Sequence, residues 1–137
     1  MANQYNGEIK IELYDKIYPM KINMRVIAEF QSETGKDFMH CAIRAMNAMA
    51  KCAGMSPLEQ AEVMTEAVSL SDAAHLFYLA AKECDKVPEF DEFQEAVLFE
   101  GPLITQRDGK LTQSYPFIFA NLVMFAIFGA FDEEKKQ

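Results

Sequence analysis

Thiols and imidazoles are the side chains of this sequence best suited to chemistry, and their spacing argues against a shared site. His40 and Cys41 are adjacent, whereas Cys52 and Cys84 stand far from each other. His75 has no histidine or cysteine three or four residues away. Metal sites need several such ligands at short, regular spacing, and neighbouring residues of a helix diverge too far to form a base–nucleophile pair. The pattern predicts apolar thiols in a helical core and no metal site; a cysteine enzyme with a reactive Cys41 or Cys84 is the alternative.

The acidic residues and the glycines give no clear signature of acid–base catalysis or of phosphate binding. Asp91, Glu92 and Glu95 cluster within a turn and a half of a predicted helix, and paired acids can do acid–base work. Acidic first turns also complement the helix dipole, which is a sufficient explanation. Gly35-Lys36 has no upstream glycine at the spacing that a phosphate-binding loop requires. We therefore predict no catalytic residue, no cofactor and a protein that is not an enzyme.

The composition of the chain narrows the classes of protein and the partners that remain possible. The chain has 137 residues, of which 50% are hydrophobic, and a net charge of −8. This length and composition predict one globular domain, residues 1–137, with enough core to fold without disulfides. The negative charge argues against nucleic acid and against an anionic membrane surface as partners. Three cysteines, an odd number, do not describe a disulfide framework and favour a reducing cytoplasm.

Residues 1–23 are predicted to contain an N-terminal β-hairpin. Apolar residues alternate with charged ones on both sides of a turn at Asp15-Lys16, which is the period of a strand with one covered face. A lone hairpin is marginally stable, so it must pack on helices or on the strands of another subunit. Because unpaired strand edges can add strands across subunits, we expect a homo-oligomer. The predicted self-association residues are Ile9, Ile11, Leu13, Tyr18, Met20 and Ile22.

Residues 24–131 are predicted to form a helical body, so the fold class is mainly α, a single domain of five to six helices with a short N-terminal β-hairpin. Asn23 is placed to cap the first helix and Gly35 to end it, while Asp37 caps the second. The strongest start signal is Ser56-Pro57-Leu58-Glu59, because serine caps, proline suits the first turn and Glu59 completes a capping box.

In the second half of the helical body, the residues that signal where a helix starts or ends are weaker. The third helix is predicted to turn four apolar residues inward: Leu58, Ala61, Met64 and Val68. Ser71-Asp72 is predicted to start the fourth helix, and Pro88 with Asp91 to introduce a shorter fifth one. Residues 101–116 form a long connection, in which Asp108-Gly109 makes a tight turn between two short strands, Leu103 to Thr105 and Leu111 to Gln113.

Residues 117–131 read FIFANLVMFAIFGAF and carry no charge. At about 1.5 Å per residue they span roughly 22 Å, short of the roughly 30 Å of a bilayer's hydrocarbon core. We predict a helix whose apolar residues lie nearly all round, followed by a frayed charged tail over 132–137. Its partner-binding residues are then Phe117, Phe125, Phe128 and Phe131. A central helix wrapped by the others is the alternative, and a membrane-active lysis protein is a further one.

This order of elements resembles the tail assembly chaperones of long-tailed, lambda-like bacteriophages, the siphoviruses. The resemblance lies first in residues 17–36, IYPMKINMRVIAEFQSETGK, where a short strand leads without a loop into a helix that stops at Thr34-Gly35-Lys36. It continues through the helical body to the acidic-then-basic C-terminus and covers roughly residues 8–131.

The resemblance implies a late viral protein that binds the tape measure protein, keeps this long helical chain soluble and promotes assembly of the tail tube. Tail tube protein is the second implied partner, mainly through a longer form made by ribosomal frameshifting. The implied location is the host bacterial cytoplasm and not the mature virion. The alternative is a structural tail completion or connector protein that stays in the virion.

Overall fold

The computed structural model describes the backbone of residues 8–14, 16–100, 105–107, 110–112 and 114–136, and the side chains of 10–14, 16–99 and 114–128. Within these ranges the chain forms six helices and two short antiparallel hairpins, which confirms the predicted mainly α class with an N-terminal β-hairpin. The elements are β1 (Glu8–Leu13), β2 (Lys16–Lys21), α1 (Met24–Thr34), α2 (Phe38–Lys51), α3 (Pro57–Ala67), α4 (Leu70–Lys82), α5 (Phe90–Glu100), β3 (Thr105–Arg107), β4 (Lys110–Thr112) and α6 (Tyr115–Lys136).

The N-terminal hairpin packs on helices of its own chain. β1 and β2 pair in register from Glu8↔Lys21 to Leu13↔Lys16, and Tyr14 makes the turn with φ at 53°. One face of the hairpin is buried, with β2 against α4 and β1 against α6 and α5. The hairpin was expected to pack either on helices or on the strands of another subunit. In this structure it packs on helices of its own chain.

The helix caps predicted from local sequence are confirmed at α1, α2 and α3. The side chains of Asn23 and Asp37 each accept a backbone N–H from three residues further on, at 2.9 Å. Gly35 ends α1 in the left-handed region, at φ +72°. Ser56 and Glu59 form both hydrogen bonds of the capping box, at 3.3 and 3.0 Å. These caps depend only on residues close in sequence, which is why the sequence reveals them.

Two predictions about α3 and α4 are wrong. Leu58 is 73% exposed, because the first turn of α3 projects beyond the core, whereas Met64 and Val68 are buried as predicted. α4 begins at Leu70 and not at Ser71-Asp72, since the Ser69 hydroxyl accepts the backbone N–H of Asp72 at 3.1 Å. A serine two residues earlier thus caps the helix that the sequence pattern started at Ser71-Asp72.

α4 is one of two central helices. Its buried side chains cover more than half of its circumference and are Ala73, Ala74, Leu76, Phe77, Leu79, Ala80 and Ala81. It packs against α1, α5, α6 and β2. Four of these seven residues are alanines, which allow neighbouring elements to approach the helix closely. The other central helix is α6, which packs against α2, α3, α4, α5 and β1.

Both ends of the C-terminal region differ from the predicted bounds. α6 begins at Tyr115, two residues before the predicted start, and continues to Lys136. The predicted frayed tail thus has helical backbone over 132–136, since glutamate and lysine are good helix formers; Gln137 lies outside the described residues. The predicted short hairpin is confirmed, with β3 and β4 closer to the turn than expected, and Leu103 and Gln113 also lie outside the described residues.

Candidate partner-binding surface

Among its described side chains, α6 divides into a buried first half (residues 115–123) and a partly exposed second half (residues 124–128). The buried side chains of the first half are Pro116, Phe117, Phe119, Ala120, Leu122 and Val123. From Met124 to Ile127 each side chain is partly buried, and Phe128 is 52% exposed. Residues 124–128, MFAIF, are all apolar. The first half therefore belongs to the core, and the second half has side chains that solvent can reach.

The four predicted partner-binding phenylalanines have different surroundings. Phe117 shares a face with Ala120, one turn further on, and lies in the core at 7% exposure, so it is not available to a partner. Phe125 is partly buried and Phe128 faces solvent. The side chain of Phe131 lies outside the described residues. Of the three whose side chains the structure describes, Phe125 and Phe128 are thus the two that a partner can reach.

The predicted self-association residues of the hairpin are mostly covered by the same chain. Ile11, Leu13, Tyr18 and Met20 are buried, and Ile22 is partly buried against the core. The Tyr18 ring meets Phe93 of α5 edge-on, with 5.7 Å between ring centroids. The side chain of Ile9 lies outside the described residues, although its backbone pairs with Met20. A second subunit can reach the hairpin through its strand edges and its outer face, and not through the four buried side chains.

Cys41 lies beside a cavity of about 290 Å³ that Lys36, Asp72 and Phe119 also line. Lys36 Nζ lies 2.7 Å from the Asp72 carboxylate, which pairs those two charges. Burial, and then the nearby Asp72, raises the pKa of the Cys41 thiol. A nucleophilic thiolate needs a lowered pKa. The surroundings of Cys41 therefore favour the protonated thiol, which is opposite to what the cysteine-enzyme alternative requires.

The other two cysteines and both histidines lie in helices or directly after them. Cys52 is buried, its pKa is raised by burial, and its Sγ donates a weak hydrogen bond to the Gln60 carbonyl at 3.9 Å. Cys84 is partly buried. His40 is exposed on α2, whereas His75 Nε2 lies 2.6 Å from Glu33 Oε1.

Neither a metal centre nor a membrane span is found in the part of the chain that the structure describes. No three of its His, Cys, Asp and Glu side chains are grouped so that they could hold a metal ion. None of its helices combines the length and the apolar character needed to cross a bilayer.

Comparison with known proteins gives no relative from which a function could be transferred. No family model, curated protein or solved structure matches this chain. The candidate surfaces below therefore rest on the side chains themselves.

A second apolar stripe lies on the outer side of α2. Met39 and Ile43 are 46% and 48% exposed, and Met46 is partly buried on the same side. Their spacing of four and then three residues is the signal that identifies a helical stripe. Arg44 and Lys51 are exposed on the adjacent side, where they line a groove together with Glu66 of α3, while the sequence of α2 itself contains no acidic residue. α2 thus presents a basic and apolar face, named here the α2 surface (Met39, Ile43, Arg44 and Lys51).

α5 combines exposed apolar residues with acidic ones, whereas α2 combines them with basic ones. Its outer residues are Asp91, Glu92, Glu95, Leu98 and Phe99, and all of them are exposed. Phe99 reaches 65% exposure, and the sequence of α5 contains no basic residue. A groove of about 400 Å³ runs between the start of α4 and α5, with Leu70 and Leu98 among its lining residues. These five outer residues are named here the α5 surface.

Proposed function

We propose that this protein is a non-enzymatic chaperone that shields an apolar helical polypeptide during assembly. The proposed client is the tape measure protein of a long-tailed bacteriophage, held soluble in the host cytoplasm until the tail tube protein assembles around it. The chaperone then leaves, so that the mature virion does not contain it. The sequence resemblance of residues 17–36 to phage tail assembly chaperones supports this client over others.

The observation that carries the proposal is the apolar second half of α6. Residues 124–128 leave partly exposed apolar side chains in the middle of α6, directly after its buried residues, with the Phe128 ring half exposed. An exposed apolar patch on a soluble chain is typical of a binding surface. A methionine and two phenylalanines suit a helical partner, because methionine adapts its shape and aromatic rings bury a large area. The net charge of −8 supports solubility while such a surface is free.

Co-expression with the client tests this function. The client is a very long helical protein, expected to be encoded immediately downstream of this chain. We expect the client to be soluble with the wild-type chain and to precipitate with the Phe128→Asp variant. The matched control is Leu58→Asp, which places the same charge at an exposed apolar position of α3. A Phe128→Asp variant that is folded and still keeps the client soluble would contradict the proposed surface.

A structural tail completion or connector protein is the second candidate, since such a protein also needs a surface for other tail components. Mass spectrometry of purified phage particles distinguishes the two functions. The proposed chaperone is missing from finished particles, whereas a connector remains in them at a fixed number of copies.

A further inference from the structure

We infer that the α2 surface of one copy of this chain docks on the α5 surface of a second copy. The inference concerns self-assembly and does not depend on which client the protein binds. The two surfaces lie on different helices, and each combines exposed apolar side chains with charges of a single sign. Their complementarity identifies the occupant, because each surface offers what the other one lacks.

The apolar parts fit by shape. Met39 and Ile43, one turn apart, form a ridge along α2, and helices pack by fitting such ridges into grooves. Leu98 lines the groove between α4 and α5, and Phe99 stands exposed beside it. Seating the ridge in this groove covers four large apolar side chains that are now 46 to 65% exposed. Removal of apolar area from water supplies the attraction between the copies.

The charges determine which face of the second copy the α2 surface binds. A chain with a net charge of −8 repels a second copy over most of its surface. Among the six helices of the described chain, α2 is the one whose sequence carries basic residues and no acidic ones. Arg44 and Lys51 of one copy then face Asp91, Glu92 and Glu95 of the next. Such complementarity orients partners and makes their association sensitive to salt.

The proposed contact joins two unlike surfaces and therefore repeats from copy to copy. Two copies joined in this way still offer one free α2 surface and one free α5 surface, at opposite ends of the pair. Heterologous contacts of this kind generate rings when the rotation closes and open spirals when it does not. The structure thus points to a head-to-tail assembly that does not need the buried face of the hairpin.

Exchanging the charges tests the contact directly. The first variant, Arg44→Glu with Lys51→Glu, makes the α2 surface acidic; the second, Glu92→Lys with Glu95→Lys, makes the α5 surface basic. Each variant alone opposes like charges and is expected to stay near the monomer mass of 15.6 kDa in light scattering. An equal mixture restores the wild-type assembly, because the acidic α2 surface of one variant meets the basic α5 surface of the other.

Controls with the same change in net charge separate this contact from general repulsion. They are Lys10→Glu with Lys86→Glu, and Glu29→Lys with Glu62→Lys, all at exposed positions on other elements. Both controls are expected to assemble like the wild type, and circular dichroism checks that every variant is folded. A monomeric wild-type protein, single variants that assemble normally, or a mixture that stays monomeric would each overturn the inference.

Discussion

His75 on α4 and Glu33 on α1 are joined by a contact of 2.6 Å between Nε2 and Oε1, 42 residues apart in sequence. The imidazole also packs against the Phe90 ring of α5, at 4.7 Å between ring centroids. One side chain thus connects α4 with two of its neighbours. The same imidazole appeared in the sequence as a ligand or base without a partner, and the structure gives it a packing and hydrogen-bonding role.

Removing the imidazole should loosen this junction. We expect His75→Ala to lower the free energy of unfolding by about 1–2 kcal/mol, since a hydrogen bond to a charged group and an aromatic contact are both lost. Glu33→Gln should cost less than about 1 kcal/mol, because the carboxylate is half exposed and the ring contact remains. Urea unfolding of both single variants and the double variant measures the coupling. Strictly additive losses would show that the two side chains do not interact.

The start of α4 gives a comparison between two serines. Ser69→Ala should lower the free energy of unfolding by about 1 kcal/mol, because the hydroxyl that caps the Asp72 N–H is lost. Ser71→Ala should be neutral or stabilising by a few tenths of a kcal/mol, since alanine has the higher helix propensity at an exposed helical position. Chemical denaturation of the two variants decides between the observed start and the one that the sequence suggested. A larger loss at Ser71 would place the cap there.

Stability should fall at alkaline pH. The pKa values of the Cys41, Cys52 and Tyr115 side chains are raised by burial, and that of Lys36 is raised by its hydrogen bond and charge contact with Asp72. As the pH passes their ordinary pKa values, between about 8.5 and 10.4, the unfolded chain loses these protons before the folded chain does. The folded state then binds more protons, so the free energy of unfolding decreases with pH.

Urea unfolding between about pH 8 and pH 10 measures this slope. The Cys41→Ala, Cys52→Ala double variant should show a shallower decrease, because two of the four groups no longer titrate. Its stability at neutral pH is the reference, since loss of a buried side chain shifts the whole curve without changing its slope. An unchanged slope would mean that neither thiol is protected from ionisation by the fold.

The local features of this fold could be predicted because their causes are local. Asn23, Gly35 and the Ser56–Glu59 box satisfy backbone groups within a few residues, so their chemistry is visible in the sequence. The alternation of the hairpin likewise predicts which of its faces is buried.

The arrangement of helices could not be predicted in the same way. An apolar residue in a helix, such as Leu58 or Leu98, is buried only if a neighbour lies opposite it, and the sequence pattern does not place that neighbour. α4 is as central as α6 because its small alanines let other elements approach closely, although α6 has the more hydrophobic sequence. The α2 surface could not be placed for a related reason, since the spacing of methionines along a helix does not show which of them face solvent. Met64 is fully buried, but Met39 is half exposed.

The division of α6 into a core half and a surface half leads to the last prediction. Phe119 is 1% exposed and its ring lies 6.4 Å from that of Phe77 on α4, between centroids. Phe119→Ala should therefore lower the free energy of unfolding by about 3–5 kcal/mol, since it leaves a cavity in the core. Phe128→Ala should cost less than about 1 kcal/mol, because half of that ring is already in water.

The same two variants connect stability with binding. If α6 offers its second half to a client, Phe128→Ala weakens capture of the client while the melting temperature stays close to that of the wild type. Thermal unfolding and a pull-down with the tape measure protein, carried out on the same preparations, provide both readouts. Equal losses of stability for Phe119→Ala and Phe128→Ala would mean that the second half of α6 also belongs to the core. The client surface would then have to lie on another element, since a ring needed for folding is not free to bind a partner.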